Sequence, residues 1–311
     1  MPSIICVSAI ITDMILVTGA TGFIGSALVK KLIGAGYEVR VLLRPSRKSP
    51  NLPRGVPMEV AVSSLRDERG MLAALRGIRV VFHLASAERD SKMAHFENRD
   101  VDNASVLVKA AKQTGVQRLF YLSHLSADKN SFFQIYRTKA FVESVIKESG
   151  LSYTIYRTSV VFGPSDNFTT YLLHALRSSA AFFLVPGNDN VNLQPLWIGD
   201  LINCLLMSLK GKNMANTLKE IGGGEYFTLK EILRIIMAQT SVRRLLISLA
   251  PAYMRTINLW LGQSNHSFLI SNFWLDYLAY DCTCALDTLP QLFGILPVRF
   301  ERKLNYLKGW K

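Results

Sequence analysis

Short runs rich in apolar residues alternate with runs of helical spacing through the first half of the chain. Ile15–Val17, Tyr37–Leu43, Pro57–Val62, Val80–Leu84, Arg118–Ser123 and Tyr153–Tyr156 have the length and the β-branched or aromatic content of buried strands. Between them, Ser26–Ala35, Arg66–Leu75, Asn103–Thr114 and Tyr136–Glu148 repeat apolar residues every three or four positions. Each helical run stops at or near a glycine, at Gly36, Gly77, Gly115 and Gly150, the residue that most readily takes the left-handed backbone of a helix end. This alternation of strand and helix predicts an α/β fold, a doubly wound parallel sheet covered on both faces by crossover helices.

Past Phe162-Gly163-Pro164 the alternation loosens. Helical spacing returns at Phe168–Arg177, Asp200–Leu209 and Leu229–Met237, with Asp200 expected as an N-cap, between loops of Gly, Asn and Pro. The chain therefore divides into an N-terminal extension, 1–13, a sheet domain, 14–165, and a smaller, mainly helical C-terminal lobe, 166–311, that partly completes the sheet. The extension is apolar from Ser3 to Ile11, yet no Lys or Arg precedes Lys30, so it has neither the positive flank of a secretory signal nor the arginines of a transit peptide. Met14 opens the first strand, and removal of 1–13 is expected to leave folding nearly unchanged. No apolar run reaches the ~18 residues of a membrane span. The expected location is cytoplasmic, with a peripheral place at a membrane left open.

The first strand runs into Thr18-Gly19-Ala20-Thr21-Gly22-Phe23-Ile24-Gly25 and then into an amphipathic helix. A glycine string alone is weak, but between a strand and a helix it is the turn of a Rossmann-type dinucleotide site. Gly19 permits the sharp turn, Gly22 lets backbone approach a pyrophosphate, and Gly25 lets the helix pack close. The helix start then offers free N–H groups and a partial positive charge to phosphate.

A domain of this kind that prefers NAD(H) carries an Asp or Glu at the end of its second strand, where it holds the ribose 2′-hydroxyl. Here that strand ends Leu43-Arg44-Pro45-Ser46-Arg47-Lys48. A guanidinium at Arg44 suits a 2′-phosphate, so NADP(H) is expected over NAD(H), the other reading being a merely solvated basic loop.

The chain holds 36 Lys and Arg against 23 Asp and Glu, a formal net charge of +13. Its cations are scattered rather than gathered in a nucleic-acid module, apart from Arg40, Arg44, Arg47, Lys48 and Arg54 near the second strand and Arg299, Arg302, Lys303, Lys308 and Lys311 at the end. No nucleic-acid partner is expected; the basic surface suits an anionic ligand, a membrane surface or a protein complex. Cys6, Cys204, Cys282 and Cys284 have neither zinc nor disulfide-framework spacing, and His95, His174 and His266 suggest no metal site or triad.

With these motifs the chain resembles the extended and atypical short-chain dehydrogenase/reductase superfamily, which includes the NAD-dependent epimerase/dehydratase proteins. His83-Leu84-Ala85 resembles the motif that ends the fourth strand beside the adenosine and ribose, and Ser63-Ser64 stands where the superfamily has Gly-Asp beside the adenine. Arg157 with Phe162-Gly163-Pro164 resembles its segment near the nicotinamide. Ser123-His124-Leu125-Ser126-Ala127 and Tyr136-Arg137-Thr138-Lys139-Ala140 resemble one branch, the nucleotide-binding accessory subunit of respiratory complex I and its bacterial relatives. The cofactor-binding set this implies is Thr18, Gly19, Thr21, Gly22, Phe23, Ile24, Gly25, Arg44, Ser64, Leu65, Leu84, Ala85 and Lys139.

Superfamily reductases use a Tyr and a Lys four residues later on one helix, with a Ser on the preceding strand. Ser123, Tyr136 and Lys139 are the catalytic candidates, but the position four before Lys139 is Ile135. Moving the phenol from 135 to 136 swings it about 100° around the helix. Three functions follow. An oxidoreductase would have an altered or weak site acting on an unknown small molecule, an apolar one included. A cofactor-bound structural or assembly component of a respiratory-type complex needs no proton donor. A sugar-nucleotide epimerase or dehydratase needs the same tyrosine. The aromatics of the C-terminal lobe, Trp260, Phe268, Phe273, Trp274, Tyr277 and Tyr280, are read as lobe core, with an apolar ligand pocket or a basic, aromatic face on a membrane as the alternatives.

Overall fold

A computed structural model describes residues 14–47, 49–50, 52–53, 55–86, 96–187, 191–260 and 269–310. The N-terminal extension, together with Lys48, Arg54, His95, His266, Phe268 and Lys311, lies outside the described residues. The first half follows the expected alternation: β1 (Ile15–Thr18), α1 (Phe23–Gly34), β2 (Val39–Leu43), β3 (Glu59–Val62), α2 (Glu68–Ala74), β4 (Val80–His83), α3 (Phe96–Thr114), β5 (Arg118–His124), α4 (Gln134–Glu148) and β6 (Tyr153–Thr158). The second half adds β7 (Val161–Phe162), α5 (Thr169–Ser178), β8 (Phe182–Pro186), β9 (Asn192–Leu193), β10 (Leu196–Trp197), α6 (Ile198–Lys210), β11 (Thr217–Ile221), β12 (Phe227–Thr228), α7 (Leu229–Thr240), β13 (Leu245–Leu249), α8 (Pro251–Trp260), α9 (Asn272–Tyr277) and α10 (Thr288–Phe293).

Seven strands form one sheet in the order β11-β6-β5-β4-β1-β2-β3, and every pairing in it is parallel. Successive residues of β1 serve opposite faces. Ile15 and Val17 pack with α1 and α6, whereas Leu16 packs with α2, α3 and α4. That is why β1 is apolar without alternation: both of its faces are covered. The sheet is the expected Rossmann-type doubly wound sheet, completed by β11 from the second half of the chain. Strand order reverses between β1 and β4, which opens a crevice at their C-terminal ends.

The remaining lobe packs α5, α7, α8 and α9 around a separate core of Phe168, Leu172, Ile232, Met254 and Trp274. It also holds three two-stranded pairs, β7 with β10, β8 with β13 and β9 with β12. Phe273, Trp274 and Tyr277 are part of or packed on that core, as their spacing suggested. Trp260 and Tyr280 are not: Trp260 is exposed at the end of α8, and Tyr280 is exposed outside that core.

Asp200 is not an N-cap. α6 begins at Ile198, Trp197 takes the cap position, and the Asp200 carboxylate accepts from the Val298 N–H at 2.9 Å. The acid thus ties the C-terminal segment to the first turn of α6. Among the described residues no helix is long and apolar enough to cross a membrane.

Candidate dinucleotide site

The turn after β1 is held by its own backbone. The Gly22 N–H donates to the Gly19 carbonyl at 3.0 Å, and Gly19 has φ +73°. A Cβ on Gly19 would lie 2.7 Å from the backbone of Leu84 and Ala85, so β1 and β4 can approach at their tips only with glycine there. α1 starts at Phe23, one turn sooner than its spacing suggested, directly after Gly22. No side chain caps it and no acid lies in its first turn. By contrast α2 is capped by Asp67, and α7 by a Thr228–Glu231 capping box. Unpaired N–H groups at the switch point are an anion site.

An open cleft of about 920 Å³ lies over this helix start. Of the expected cofactor residues, Thr18, Gly19, Thr21, Gly22, Arg44, Ser64, Leu65, Leu84 and Ala85 line it. Gly25 does not; it packs under the turn, against the Gly19 carbonyl. Phe23 and Ile24 do not line it either; half-buried, they pack against the core shared by α1 and α6. Arg44 is exposed at the lip of the cleft, beyond β2. Arg40, although in the same basic cluster, is structural: it pairs with Glu59 at 2.7 Å and donates to the carbonyls of Ala74 and Arg76.

Arg66, Ser86, Arg99, Asp100 and Asn103 also line the cleft and were not singled out from sequence. α3 starts at Phe96, about two turns before the expected Asn103, and those turns carry Arg99 and Asp100 to the site. The signal was there, a polar stretch with helical spacing, but it lacks the apolar stripe that marks a buried helix. Ser86 Oγ donates to Asp100 at 2.8 Å, fixing the β4 loop to α3.

Beneath the cleft, Thr18 Oγ1 accepts from the N–H groups of Leu84 and Ala85 at 3.2 and 3.3 Å and meets His83 Nδ1 at 2.8 Å. With its lone pairs so used, the hydroxyl proton goes to Nδ1, which assigns His83 as neutral with its proton on Nε2. Burial, and then the nearby Lys139 ammonium, lower His83 from 6.5 to about 4. The unfolded chain therefore takes up a proton between those two values that the folded one refuses. Stability is expected to be full above pH 6.5 and to fall by up to about 3 kcal/mol as pH drops towards 4, at about 1.4 kcal/mol per unit. Urea midpoints across that range should show the slope, and His83→Gln should flatten it.

The catalytic candidates do not converge on the cleft. Lys139 Nζ lies 5.6 Å from the centre of the Tyr121 ring, beside His83 and at the same end of the sheet as the cleft. Ser123 Oγ instead donates to Glu143 on α4 at 2.5 Å, and the Glu143 carboxylate holds Arg157 by two contacts of 2.9 Å. Arg157 is thereby committed to α4 rather than to a nicotinamide. Tyr136 is fully buried among His124, Phe133 and Tyr280 and donates to the Tyr277 carbonyl at 2.8 Å. Burial drives its phenol far above the usual tyrosine range. His124 faces Tyr277 and lies 3.6 Å from Cys282 Sγ, a thiol that burial pushes up to about 12.

A doubly wound sheet, a glycine turn against an uncapped helix and a cleft at the switch point together define a Rossmann-type nucleotide-binding protein. Residues 11–257 match the NmrA-like family, and the chain belongs to that family.

Over 143 residues it is 34% identical to a photosystem II assembly factor of Cyanophora paradoxa, covering 46% of this chain and 44% of that one. Over 230 residues it is 29% identical to a mitochondrial NADH dehydrogenase (ubiquinone) 1 alpha subcomplex subunit 9 of Arabidopsis thaliana, covering 71% and 56%. The chain thus spans about half the length of these two relatives. An NAD(P)H azoreductase of Xenophilus azovorans is 27% identical over 289 residues, covering 90% and 93%. An NADPH-dependent quinone oxidoreductase from Escherichia coli superposes with a TM-score of 0.74 at 17% identity, over 94% of this chain and 99% of that one. The branch the sequence resembled, the complex I accessory subunit, is among these relatives.

Proposed function

We propose that this chain binds NADP(H) in the switch-point cleft and works as a cofactor-bound component with little or no Tyr-dependent carbonyl reduction. The observation that carries the reading is the contrast between the two halves of the site. The cradle for phosphates is open, with Arg44 at its lip, while the only phenol near Lys139 in the helix, Tyr136, is sealed in the core with its hydroxyl bound to backbone. Relatives with names from both classes, a respiratory-complex subunit and an azoreductase, belong to the same comparison, so fold alone does not choose. An epimerase or dehydratase would need the same tyrosine and meets the same obstacle.

In this reading the first turn of α1 holds the pyrophosphate, Arg44 meets the 2′-phosphate, and Ser64, Leu65, Leu84 and Ala85 border the adenosine. Lys139 faces the nicotinamide ribose. The bound dinucleotide would supply hydride chemistry, but the one phenol on α4, Tyr136, is not placed to exchange the accompanying proton.

Two measurements test this. By calorimetry, Arg44→Ala should weaken NADPH about ten- to a hundredfold, the loss of one charge-assisted phosphate contact, and leave NADH nearly untouched. Equal losses for both cofactors would assign Arg44 to the fold instead. Over a panel of aldehydes and ketones the wild type should show only residual NADPH oxidation, since general acid catalysis worth ~10²–10⁴ in rate is absent. Ile135→Tyr restores the spacing to Lys139, although position 135 is itself buried. A brisk wild-type reductase that Tyr136→Phe abolishes would overturn the proposal.

A further inference from the structure

The C-terminal lobe turns two adjoining apolar faces outward. β8 and β13 pair in parallel, with Leu245 beside Phe182 and Ile247 beside Leu184. Phe183, Val185 and Leu246 on one side of this ribbon meet the lobe core. On the other side Phe182, Leu245 and Ile247 are 51, 67 and 40% exposed.

Only Ala250 separates β13 from α8, and that helix is inverted in the same sense. Two of its polar side chains are engaged by the lobe: Arg255 pairs with Asp276 at 2.6 Å, and Asn258 donates to the Ile270 carbonyl at 3.0 Å. Its solvent side is Ala252, Tyr253, Thr256, Leu259 and Trp260, three or four residues apart and without a charge. Tyr253, Leu259 and Trp260 are 66, 70 and 87% exposed.

Charge says what such a face would meet. Between Glu231 and Asp276 the sequence has no acidic residue and four arginines, Arg234, Arg243, Arg244 and Arg255. Arg234 and Arg243 are exposed, Arg243 two residues ahead of Leu245. Apolar side chains with Tyr and Trp beside an exposed Arg243 suit the headgroup layer of an anionic bilayer, where aromatic rings sit at the interface and Lys or Arg are drawn to acidic lipid.

The geometry points to a membrane-docking surface: α8, with the outer face of the β8–β13 ribbon, rests on an anionic lipid bilayer. The relevant experiment floats the full chain with vesicles of phosphatidylcholine, alone or with phosphatidylglycerol. The expected result is flotation with the phosphatidylglycerol vesicles that weakens as salt is raised. Leu259→Ser with Trp260→Ser should reduce partition by about tenfold or more, the loss of two buried apolar anchors. Arg243→Gln should weaken only the part that depends on phosphatidylglycerol. NADPH affinity should be unchanged by either variant, which separates this surface from the cofactor site. No flotation with either vesicle would overturn the inference, as would flotation indifferent to Leu259→Ser with Trp260→Ser. So would a wild-type dimer in solution that the same double variant converts to monomer, for then a second copy covers the face.

Discussion

Glu143→Ala is expected to lower the stability of the chain by about 3 kcal/mol, at the lower end of what removing one member of a buried ion pair does. Glu143 is almost wholly inaccessible, yet its carboxylate receives the Ser123 hydroxyl, two Arg157 nitrogens and, at 3.5 Å, Lys147. Alanine leaves the Arg157 guanidinium under α4 with its main partner gone; its contact with Glu220, 3.8 Å away, is too long to replace it. The Arg157 side chain is 22% exposed, so water recovers part of the loss. Chemical denaturation checks the number. A second substitution gives the physics away: Glu143→Leu combined with Arg157→Met should be much milder than Glu143→Ala alone, because a packed apolar pair removes both desolvated charges together. If the double substitution is no milder, the network supports α4 by shape rather than by charge. Lys139 lies one turn before Glu143 on the same helix, so a loosened α4 should also weaken dinucleotide affinity.

A larger effect on binding is expected from Gly25→Val. A Cβ at this position would overlap the Gly19 carbonyl oxygen and stand 2.8 Å from Gly19 C and 2.9 Å from Ala20 Cα, all backbone atoms of the turn itself. The helix start and the turn cannot both stay in place. Two or more charge-assisted N–H contacts to phosphate, at about 1.5–3 kcal/mol each, would be lost with the geometry, which is more than about a hundredfold in affinity. Gly34→Ala is the matched control in the last turn of α1, where a Cβ meets nothing within 4 Å. That change should leave NADPH affinity alone and raise stability by a few tenths to about 1 kcal/mol. Affinity retained in Gly25→Val would mean that the phosphates are held elsewhere.

The nucleotide half of the site was legible because its chemistry is local in sequence. Gly19, Gly22 and Gly25 sit in one turn, and Arg44 is read from its position after β2; spacing alone carries both. What escaped depends on partners far apart in the chain. Ser123 has the residue type and strand position of a catalytic hydroxyl, but Glu143, twenty residues on, takes its proton in a hydrogen bond. Tyr136 is sealed by Tyr277 and Tyr280, whose approach no periodicity announces. The early turns of α3 are polar because they face the cleft, so the apolar pattern that marks a helix begins only where the helix reaches the core. Asp200 had the right residue type for a cap, but its carboxylate is taken by Val298, almost a hundred positions away. Trp260 misled in the other direction: it was read with the other aromatics of the lobe as core, and it faces solvent at the end of α8.

The position of β11 governs how this chain must fold as it is made. β6 is complete by Thr158, but its outer neighbour spans Thr217–Ile221, pairing Thr154 with Thr217 through to Thr158 with Ile221. Until a ribosome has delivered those later residues, β6 is an open edge with unpaired backbone groups, and the surface of α1 that α6 covers is bare. Parallel pairing across so long an interval forms slowly, because the intervening loop must close before any contact rewards it. A fragment ending near residue 165 should therefore aggregate rather than fold. A nascent chain stalled there would be a substrate for chaperones.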